Sequence, residues 1–470
     1  MTEKNVIIVG GGPAGLAAGY ELAQRGRKVV VLEKDTVVGG ISKTVCHEGF
    51  RFDIGGHRFF TKIDRVNELW RQVLGDEFLT RPRLSRIYYN NQFFNYPLKP
   101  MNALKGLGVG ESIAILASYF SSKIKPYKQE ETFEEWVSNR FGKKLYSIFF
   151  KTYTEKVWGI PCDQIEAEWA AQRIKGLSLS SAVKAALFGD KGKKIKTLIE
   201  EFNYPKYGPG QMYEKMAADI RRMGSEVLIG TKVDGFEIED GKILAVKTID
   251  MKGRQERLEC SDVLVSMPLT ELAKCLAGEG DEHVVEAADS LSYRSLLTIN
   301  LMMDRKESFP DTWIYVHSPE VKVGRVQCFK NWSPYMVPGE NVSSLGLEYF
   351  CTEGDELWNC SNEELIELGK KEIDKLGLAD SESVFDAFIV RCEKTYPVYN
   401  RDYGRHVEVL KSFVGWFENL QCIGRNGMFK YNNMDHSILS GLMAADNIMG
   451  AKNDLWAINT EDEYHEQAKA

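Results

Sequence analysis

Three glycines and one glutamate near the N-terminus have the types and the spacing of a dinucleotide-binding site. Gly10, Gly12 and Gly15 form a Gly-x-Gly-x-x-Gly pattern, and Glu33 follows Gly10 by 23 residues. The glycines permit a tight turn, the close approach of a diphosphate and the close packing of a helix on a strand. A carboxylate at Glu33 can accept hydrogen bonds from a ribose 2′-hydroxyl and disfavours a 2′-phosphate, which argues against NADP at this site.

The flanking sequence predicts the strands and the helix that must position these residues. Residues 6–9 and 28–32 are apolar runs, and residues 14–25 have helical spacing. Pro13 and Ala14 lie where that helix would begin, so its N-terminus would face the diphosphate. We therefore expect one βαβ unit with a right-handed crossover.

A second glycine pair narrows the choice of dinucleotide. Glu33 and Lys34 lead to Gly39 and Gly40, and this arrangement resembles the glutathione-reductase-like group of flavoproteins. That group includes amine oxidases, protoporphyrinogen oxidases and UDP-galactopyranose mutases. The resemblance implies FAD as the cofactor, with a C-terminal helix whose N-terminus lies at the flavin pyrimidine carbonyl.

The C-terminal sequence fits that helix. Gly424 and Arg425 end a strand-like segment, and Met434, Asp435 and Ser437 open a helical one. The helix dipole would stabilise negative charge on a reduced flavin. The alternative is an ordinary strand, loop and helix, because such transitions are frequent. By the same resemblance, the remaining cofactor contacts would be Gly56, His57 and Val233.

Four segments narrow the resemblance to the UDP-galactopyranose mutases. They are residues 52–61 with the Gly-Gly-His triplet, residues 153–159 followed by Arg173, residues 313–335, and Tyr396 together with residues 424–435. All four occur in the order found in that family. The sequence is therefore similar to these mutases over nearly its whole length.

The resemblance implies the chemistry of an isomerase. The enzyme would interconvert the pyranose and furanose forms of a nucleotide-diphospho-sugar, UDP-galactose or a related one, using N5 of the reduced flavin as the nucleophile. The protein would position the sugar, hold the leaving diphosphate and exclude water. No second Gly-x-Gly-x-x-Gly follows a strand, so NAD(P)H, if used, would be an external reductant.

The resemblance also assigns the site residues. Arg173 and Arg325 would neutralise the diphosphate through charge-assisted hydrogen bonds, and His57 would lie beside the flavin as the third catalytic residue. The substrate-binding residues would be Tyr153 and Trp158 at the nucleotide end, Tyr315, Tyr396 and Tyr431 at the phosphates, and Asn331. Each has a structural alternative, since arginines form surface ion pairs, aromatic residues fill cores and a histidine beside glycines can serve a turn.

Two departures from the pattern of the mutases leave the identity of the nucleotide sugar open. Trp332 stands where the eukaryotic-type mutases have tyrosine, and residues 431–435 form a stretch two residues shorter than theirs. The main alternative function is an FAD-dependent oxidase or dehydrogenase of the protoporphyrinogen oxidase or amine oxidase type, which would need an apolar pocket. A third is a catalytically silent protein that binds flavin or a nucleotide sugar.

Composition excludes several other classes of protein. The net charge of −7 gives no basic field for nucleic acid. Nine cysteines without a CxxC pair or a His/Cys cluster predict a reduced cytoplasmic protein with no metal site. We expect no signal peptide and no integral membrane segment, because the apolar runs are too short. Whether the chain forms a homodimer stays open.

The order of the elements predicts an α/β protein whose cofactor domain is built from three separate segments of the chain. Residues 1–63, 205–275 and 405–455 would form a Rossmann-like FAD-binding domain, residues 64–204 a mainly α-helical inserted domain, residues 276–404 an antiparallel β-sheet substrate domain, and residues 456–470 a C-terminal tail. Helices are expected at 65–79, 103–122, 131–153, 167–188 and 363–376. Thr132 with Glu135 predicts a capping box, and Asp240-Gly241 predicts a hairpin turn.

Overall fold

The computed structural model describes residues 4–96, 100–167, 201–306 and 308–459. The strands are β1 Asn5–Val9, β2 Val29–Leu32, β3 Thr44–His47, β4 Phe50–Asp53, β5 Phe78–Pro82, β6 Ser85–Tyr89, β7 Gln92–Asn95, β8 Glu201–Pro205, β9 Glu226–Leu228, β10 Thr231–Glu239, β11 Lys242–Asp250, β12 Gln255–Val265, β13 Tyr293–Met303, β14 Trp313–Val316, β15 Arg325–Cys328, β16 Ser343–Cys351, β17 Val384–Pro397 and β18 Leu420–Cys422.

Helices cover both sheets. They are α1 Pro13–Gln24, α2 Asp64–Leu74, α3 Pro100–Ile124, α4 Phe133–Phe141, α5 Lys143–Tyr146, α6 Thr152–Trp158, α7 Gly210–Arg222, α8 Leu269–Leu276, α9 Glu282–Asp289, α10 Phe329–Trp332, α11 Glu356–Asn359, α12 Asn362–Lys375, α13 Tyr403–Val414 and α14 Met434–Ile448.

The first sheet has a parallel centre, as the βαβ pattern predicts. Its strands run in the order β10-β11-β12-β1-β2-β9, and β18 pairs with β12. β1 is parallel to both β2 and β12 and is almost wholly buried, which is the usual fate of a continuous apolar strand in such a sheet. α1 lies against α14 so closely that a Cβ at Gly441 would overlap the Ala14 carbonyl oxygen.

The second sheet is mainly antiparallel. Its order is β17-β13-β16-β15-β14-β6-β7, and its pairs are antiparallel except for β14 with β6. One face packs on α12 through Leu365 and Ile373, which are both fully buried. The opposite face bears alternate polar side chains. The predicted α/β class with a Rossmann-like part and an antiparallel sheet is confirmed.

Residues 64–204 contain more strand than predicted. β6 and β7 form a hairpin that extends the second sheet, and β5 pairs with β8. Asn90 and Asn91 have φ angles of 49° and 59° in the connecting turn, the conformation that a two-residue hairpin needs. The helix predicted at residues 65–79 is therefore wrong at its C-terminal end, because α2 stops at Leu74 and β5 begins at Phe78.

Two local predictions are confirmed in detail. The Thr132 side chain accepts from the Glu135 amide and the Glu135 side chain accepts from the Thr132 amide, which is a complete capping box on α4. Asp240 and Gly241 both have positive φ between β10 and β11. The helix expected at 363–376 is α12, whereas the one expected at 167–188 lies outside the described residues, apart from residue 167.

Candidate functional site

The first glycine motif makes the predicted strand-to-helix turn. Gly10 has a φ of 106°, a conformation that side chains rarely adopt, and a Cβ there would overlap the Ser266 hydroxyl. A Cβ at Gly15 would overlap the Gly10 carbonyl oxygen. Gly12 is the N-cap of α1 and Pro13 is its first residue, so the helix N-terminus opens at the turn.

The second glycine pair is folded back onto the first. The Gly39 amide donates to the Gly11 carbonyl oxygen at 2.8 Å. A Cβ at Gly12 would have only Gly40 within 4 Å, at 3.8 Å from its Cα. The two turns therefore form a glycine-walled cleft at the N-terminus of α1, with room for a group that lies against bare backbone.

Glu33 closes this cleft at the end of β2. Its carboxylate accepts from the Gly11 amide at 2.7 Å and from the Asp35 amide at 2.9 Å. Burial raises the pKa of Glu33, and these two amides oppose the shift. Each carboxylate oxygen still has a lone pair for a ribose hydroxyl.

Val233 and Lys34, two other predicted cofactor contacts, lie in different surroundings. Val233 is buried on β10, a strand that begins where the Thr231 amide donates to the Glu33 carbonyl oxygen at 2.8 Å. Lys34 instead extends to the surface, with its ammonium 3.7 Å from the exposed Glu393 carboxylate. The side chain of Lys34 therefore serves a surface ion pair.

The C-terminal helix brings a second helix N-terminus to the same region. The Gly424 amide donates to the Ser440 hydroxyl at 2.8 Å, and a Cβ at Gly424 would lie 3.1 Å from that of Ala14. α14 begins at Met434, where the buried Asp435 carboxylate accepts from Thr61 at 2.7 Å. Ser437 is buried in its first turn.

The Gly-Gly-His segment lies directly on the second sheet. A Cβ at Gly55 would lie 3.3 Å from the Glu348 carboxylate, and one at Gly56 would lie 3.1 Å from the Gln327 amide nitrogen and 3.2 Å from the Trp332 ring. The two glycines therefore let backbone approach the polar face of the sheet. His57, next along the chain, is carried to the junction of the two sheets.

His57 is half-buried at this junction, and its imidazole is neutral. Burial, and then the charges of Arg425 and Arg325, lower the pKa of His57 to about 3. Its Nδ1 atom has no hydrogen-bond partner among the described residues. A buried nitrogen of this kind is a feature that a bound group can satisfy.

Arg325 is the centre of a polar row across three strands. Tyr315, Arg325 and Glu348 stand directly opposite one another on β14, β15 and β16. The guanidinium lies 2.5 Å from the Glu348 carboxylate and donates to the Tyr396 hydroxyl at 3.1 Å. Burial lowers the pKa of Arg325, but Glu348 and the nearby phenols raise it well above its usual value. It stays a cation, as an anion-binding residue must.

Glu348 is held from its other side. The Gln327 amide donates to Glu348 Oε1 at 2.6 Å. Glu348 is 1% exposed at its side chain, against 19% for Arg325, so the carboxylate lies behind the guanidinium. The arginine is therefore the more accessible member of the pair.

A second cation, Arg425, lies against the rings of Tyr396 and Tyr431. Tyr396 and Tyr431 stack with ring centroids 5.6 Å apart. The Arg425 guanidinium lies 5.4 Å from the Tyr396 ring and 4.8 Å from the Tyr431 ring, and its Nε donates to the Asn432 carbonyl oxygen at 2.8 Å. Arg425 therefore braces the two phenols and adds positive charge behind them.

The predicted nucleotide end is an aromatic cluster. The Tyr153 ring is edge-on to that of Tyr315 at 5.5 Å and stacks on that of His317 at 4.8 Å. Burial, the first cause, raises the pKa of Tyr153. Trp158 is buried 6.0 Å from the Tyr431 ring and 6.3 Å from that of Tyr399. One face of Tyr153 is thus already covered by a protein ring.

Asn331, a predicted substrate residue, does not join this group. The Asn331 amide donates to the carbonyl oxygens of Phe309 and Asp311 at 2.7 and 2.8 Å, so it fixes a loop beside the site. Arg173 lies outside the described residues. Trp332, which replaces a tyrosine of the eukaryotic-type mutases, is buried and donates to the Thr312 carbonyl oxygen at 2.9 Å.

Several residues of the site were missed from the sequence. Glu348 is the single charge in the strand SSLGLEYFC, which was a usable signal, and Gln327 alternates with Arg325 on β15. Arg58 and Arg83 lie 5.0 and 5.5 Å from the Trp313 ring. These two had no local signal, because arginine is common at protein surfaces.

The residues present fit a bound FAD. A glycine-walled cleft at a helix N-terminus suits a diphosphate, and Glu33 is placed for a ribose. The second helix N-terminus, at Met434, and the unsatisfied His57 nitrogen lie at the other end. Among the described residues, His, Cys, Asp and Glu form no cluster able to hold a metal ion.

Sequence comparison finds similarity to a protoporphyrinogen oxidase and to a probable mutase. Over 492 residues the chain is 22% identical to protoporphyrinogen oxidase 2 of Arabidopsis thaliana, with 95% of this chain and 94% of that protein covered. It is 30% identical over 176 residues to a probable UDP-galactopyranose mutase of Klebsiella pneumoniae, covering 36% of this chain and 44% of that one.

A solved structure described as reduced UDP-galactopyranose mutase shares the fold. It superposes with a TM-score of 0.82 at 22% identity and covers 99% of this chain and 100% of its own. The predicted resemblance of this chain to mutase-like flavoenzymes, a group related to protoporphyrinogen oxidase, is therefore confirmed. Residues 13–449 match the family described as flavin containing amine oxidoreductase. The chain belongs to this family, and its membership supports FAD as the cofactor.

Proposed function

We propose that the protein is an FAD-dependent mutase that interconverts the pyranose and furanose forms of a nucleotide-diphospho-sugar, UDP-galactose or a related one. When bound and reduced, FAD would supply the nucleophile. The observation that carries the proposal is Arg325, half-buried on the polar face of the second sheet between Glu348 and Tyr396. A half-buried cation held in place by a carboxylate and a phenol is suited to an anionic leaving group.

The chain's own residues would hold the diphosphate and keep water away. Arg325 and Tyr396 would donate to the phosphate oxygens, with Tyr315 beside them and Arg425 adding positive charge from behind Tyr431. Because Glu348 neutralises part of the Arg325 charge, the diphosphate would be held without being trapped after the ring has reclosed. Tyr153 and Trp158 would enclose the nucleotide end.

His57 would act as a neutral group. With its pKa lowered to about 3 by burial and two arginines, it carries no charge at neutral pH. It can therefore accept a hydrogen bond at Nδ1 without competing with Arg325 for the diphosphate. This suits a reaction in which the sugar, rather than a side chain, carries the developing charge.

The second candidate is an oxidase or dehydrogenase of the protoporphyrinogen oxidase type. The match to protoporphyrinogen oxidase 2 over 95% of the chain favours it. Against it, the buried Glu348 and Tyr396 and the half-buried Arg325 and Tyr315 lie together on the second sheet, whereas a flat apolar substrate would call for an apolar lining. The cytoplasmic location and the use of NAD(P)H as reductant stay predictions.

One experiment separates the two functions. The purified yellow protein is incubated with UDP-galactofuranose and a panel of other nucleotide sugars, with and without dithionite, and product and oxygen are followed. We expect ring interconversion only after reduction and without oxygen uptake. Oxygen consumption with a porphyrinogen or an amine, and no sugar turnover, would contradict the proposal.

A further inference from the structure

Five large apolar side chains of α3 lie at the protein surface. Val109, Ile113, Leu116, Phe120 and Ile124 are 77, 62, 38, 62 and 78% exposed. At about 100° per residue they fall within an arc of about 80°, and the row is about 22 Å long. We call these five residues the α3 stripe. A contiguous apolar ridge of this kind on a soluble fold marks a contact surface.

The opposite face of α3 is less apolar than the stripe. Ser112 and Ser122 are buried there together with Ile115, and the Ser112 hydroxyl donates to the Gly108 carbonyl oxygen at 2.7 Å. The helix thus places small polar residues inside and large apolar ones outside. Folding of this chain does not account for the stripe, because its side chains gain little burial from it.

Lysines flank the stripe, and the acids of the same stretch are paired with bases of other elements. Residues 109–131 contain Lys123, Lys125 and Lys128 and three acids, Glu111, Glu130 and Glu131. Glu130 is 2.7 Å from the Arg140 guanidinium, and Glu131 is 3.4 Å from that of Arg401. Glu111 lies away from the stripe and is 3.0 Å from the Lys144 ammonium. No free acid therefore stands beside the stripe on α3.

Two tyrosine and lysine pairs lie along the same helix end. The Lys123 ammonium is 5.3 Å from the Tyr119 ring, and that of Lys143 is 5.0 Å from the Tyr127 ring. Half-buried tyrosines and lysines with apolar stems are the residues that suit the headgroup level of a bilayer.

We propose that the α3 stripe docks onto an anionic phospholipid bilayer, with the five apolar side chains entering the acyl boundary and the lysines meeting the headgroups. Charge complementarity selects this occupant. A second copy of the chain would bring another stripe flanked by lysines, whereas anionic headgroups supply the opposite charge. Among the described residues no helix is long and apolar enough to cross a membrane, so the attachment would be interfacial.

The test is vesicle flotation of the FAD-loaded full chain. Vesicles of phosphatidylcholine alone are compared with vesicles that also contain phosphatidylglycerol. We expect flotation with the mixed vesicles, a loss of at least about tenfold in the partition coefficient for I113S/F120S, and a loss of about fivefold per lysine for K125Q/K128Q. The matched control M251S/F385S removes two exposed apolar side chains elsewhere and should bind like the unchanged protein.

Flavin absorbance of each variant shows that it is folded, and the proposal does not depend on which reaction the site performs. Three results would overturn it: no flotation of the unchanged protein with the mixed vesicles, equal flotation of I113S/F120S, or a dimer in sedimentation velocity that I113S/F120S dissociates. The last would mean that a second copy covers the stripe.

Discussion

The Glu348 carboxylate lies 2.5 Å from the Arg325 guanidinium, directly opposite it across β15 and β16. The carboxylate is buried behind the arginine and also accepts from Gln327. An ion pair of this kind is costly to break from one side, because the remaining charge stays buried without compensation. Glu348 is therefore a positioning residue for Arg325, and this leads to the first prediction.

Replacement Glu348→Gln should keep the FAD but lower both stability and turnover. The amide can still accept from Gln327, but it leaves the Arg325 charge unbalanced, so we expect a loss of about 3 kcal/mol in the free energy of unfolding. Urea unfolding and the absorbance of bound flavin measure the two effects. Glu393→Gln, in an exposed ion pair, is the control and should change little. Unchanged stability of Glu348→Gln would show that the pair is not coupled.

Replacement Arg325→Ala should leave the protein yellow and nearly abolish turnover. The change removes the donor proposed for the diphosphate, so kcat/KM should fall by about 10²–10³. Steady-state assay with the reduced enzyme measures it, and Arg257→Ala, at the exposed start of β12, is the control. A variant with normal kcat/KM would remove Arg325 from the proposed diphosphate site.

Replacement Gly15→Ala should abolish FAD binding. A Cβ at this position would overlap the Gly10 carbonyl oxygen, so the turn at the N-terminus of α1 would have to open. Purified protein should lack the flavin absorbance. Gly339→Ala, where a Cβ would meet nothing within 4 Å, should bind FAD normally. Full flavin content in Gly15→Ala would mean that the turn is not the cofactor cleft.

Acid should destabilise the fold partly through His317. Burial, and then Lys156, lower the pKa of His317 from 6.5 to about 3. Between these values the unfolded chain binds a proton that the folded one does not, so stability falls as the pH drops below about 6.5.

The size of this effect can be isolated by comparison with a variant. At pH 5 the single group contributes a loss of about 2 kcal/mol, at about 1.4 kcal/mol per pKa unit. His317→Phe keeps a ring stacked on Tyr153. Between pH 7 and pH 5 its free energy of unfolding should fall by about 2 kcal/mol less than that of the unchanged protein, as measured by urea unfolding. The exposed His283→Gln variant should behave like the unchanged protein. Equal losses in His317→Phe and the unchanged protein would mean that His317 titrates normally.

The features that could be predicted from the sequence are local. The glycine turn at Gly10–Gly15, the capping box at Thr132 and the hairpin at Asp240 each depend on residues within about five positions of one another. The hairpin at Asn90-Asn91 has the same kind of local signal and was overlooked among helical neighbours. Local hydrogen bonds and turn conformations are decided by nearby residues, so a short stretch of sequence is enough.

The site itself was decided by tertiary structure. The sequence by itself determined the family, the glycine cleft and the identity of Arg325 and Tyr396 as candidates. Only the paired strands set Arg325 opposite Glu348, placed Gly55 and Gly56 against that pair, and turned Asn331 toward a loop and Lys34 toward the surface. Strand register and the packing of distant segments depend on how the whole chain buries its apolar faces. Periodicity within one strand does not contain that information.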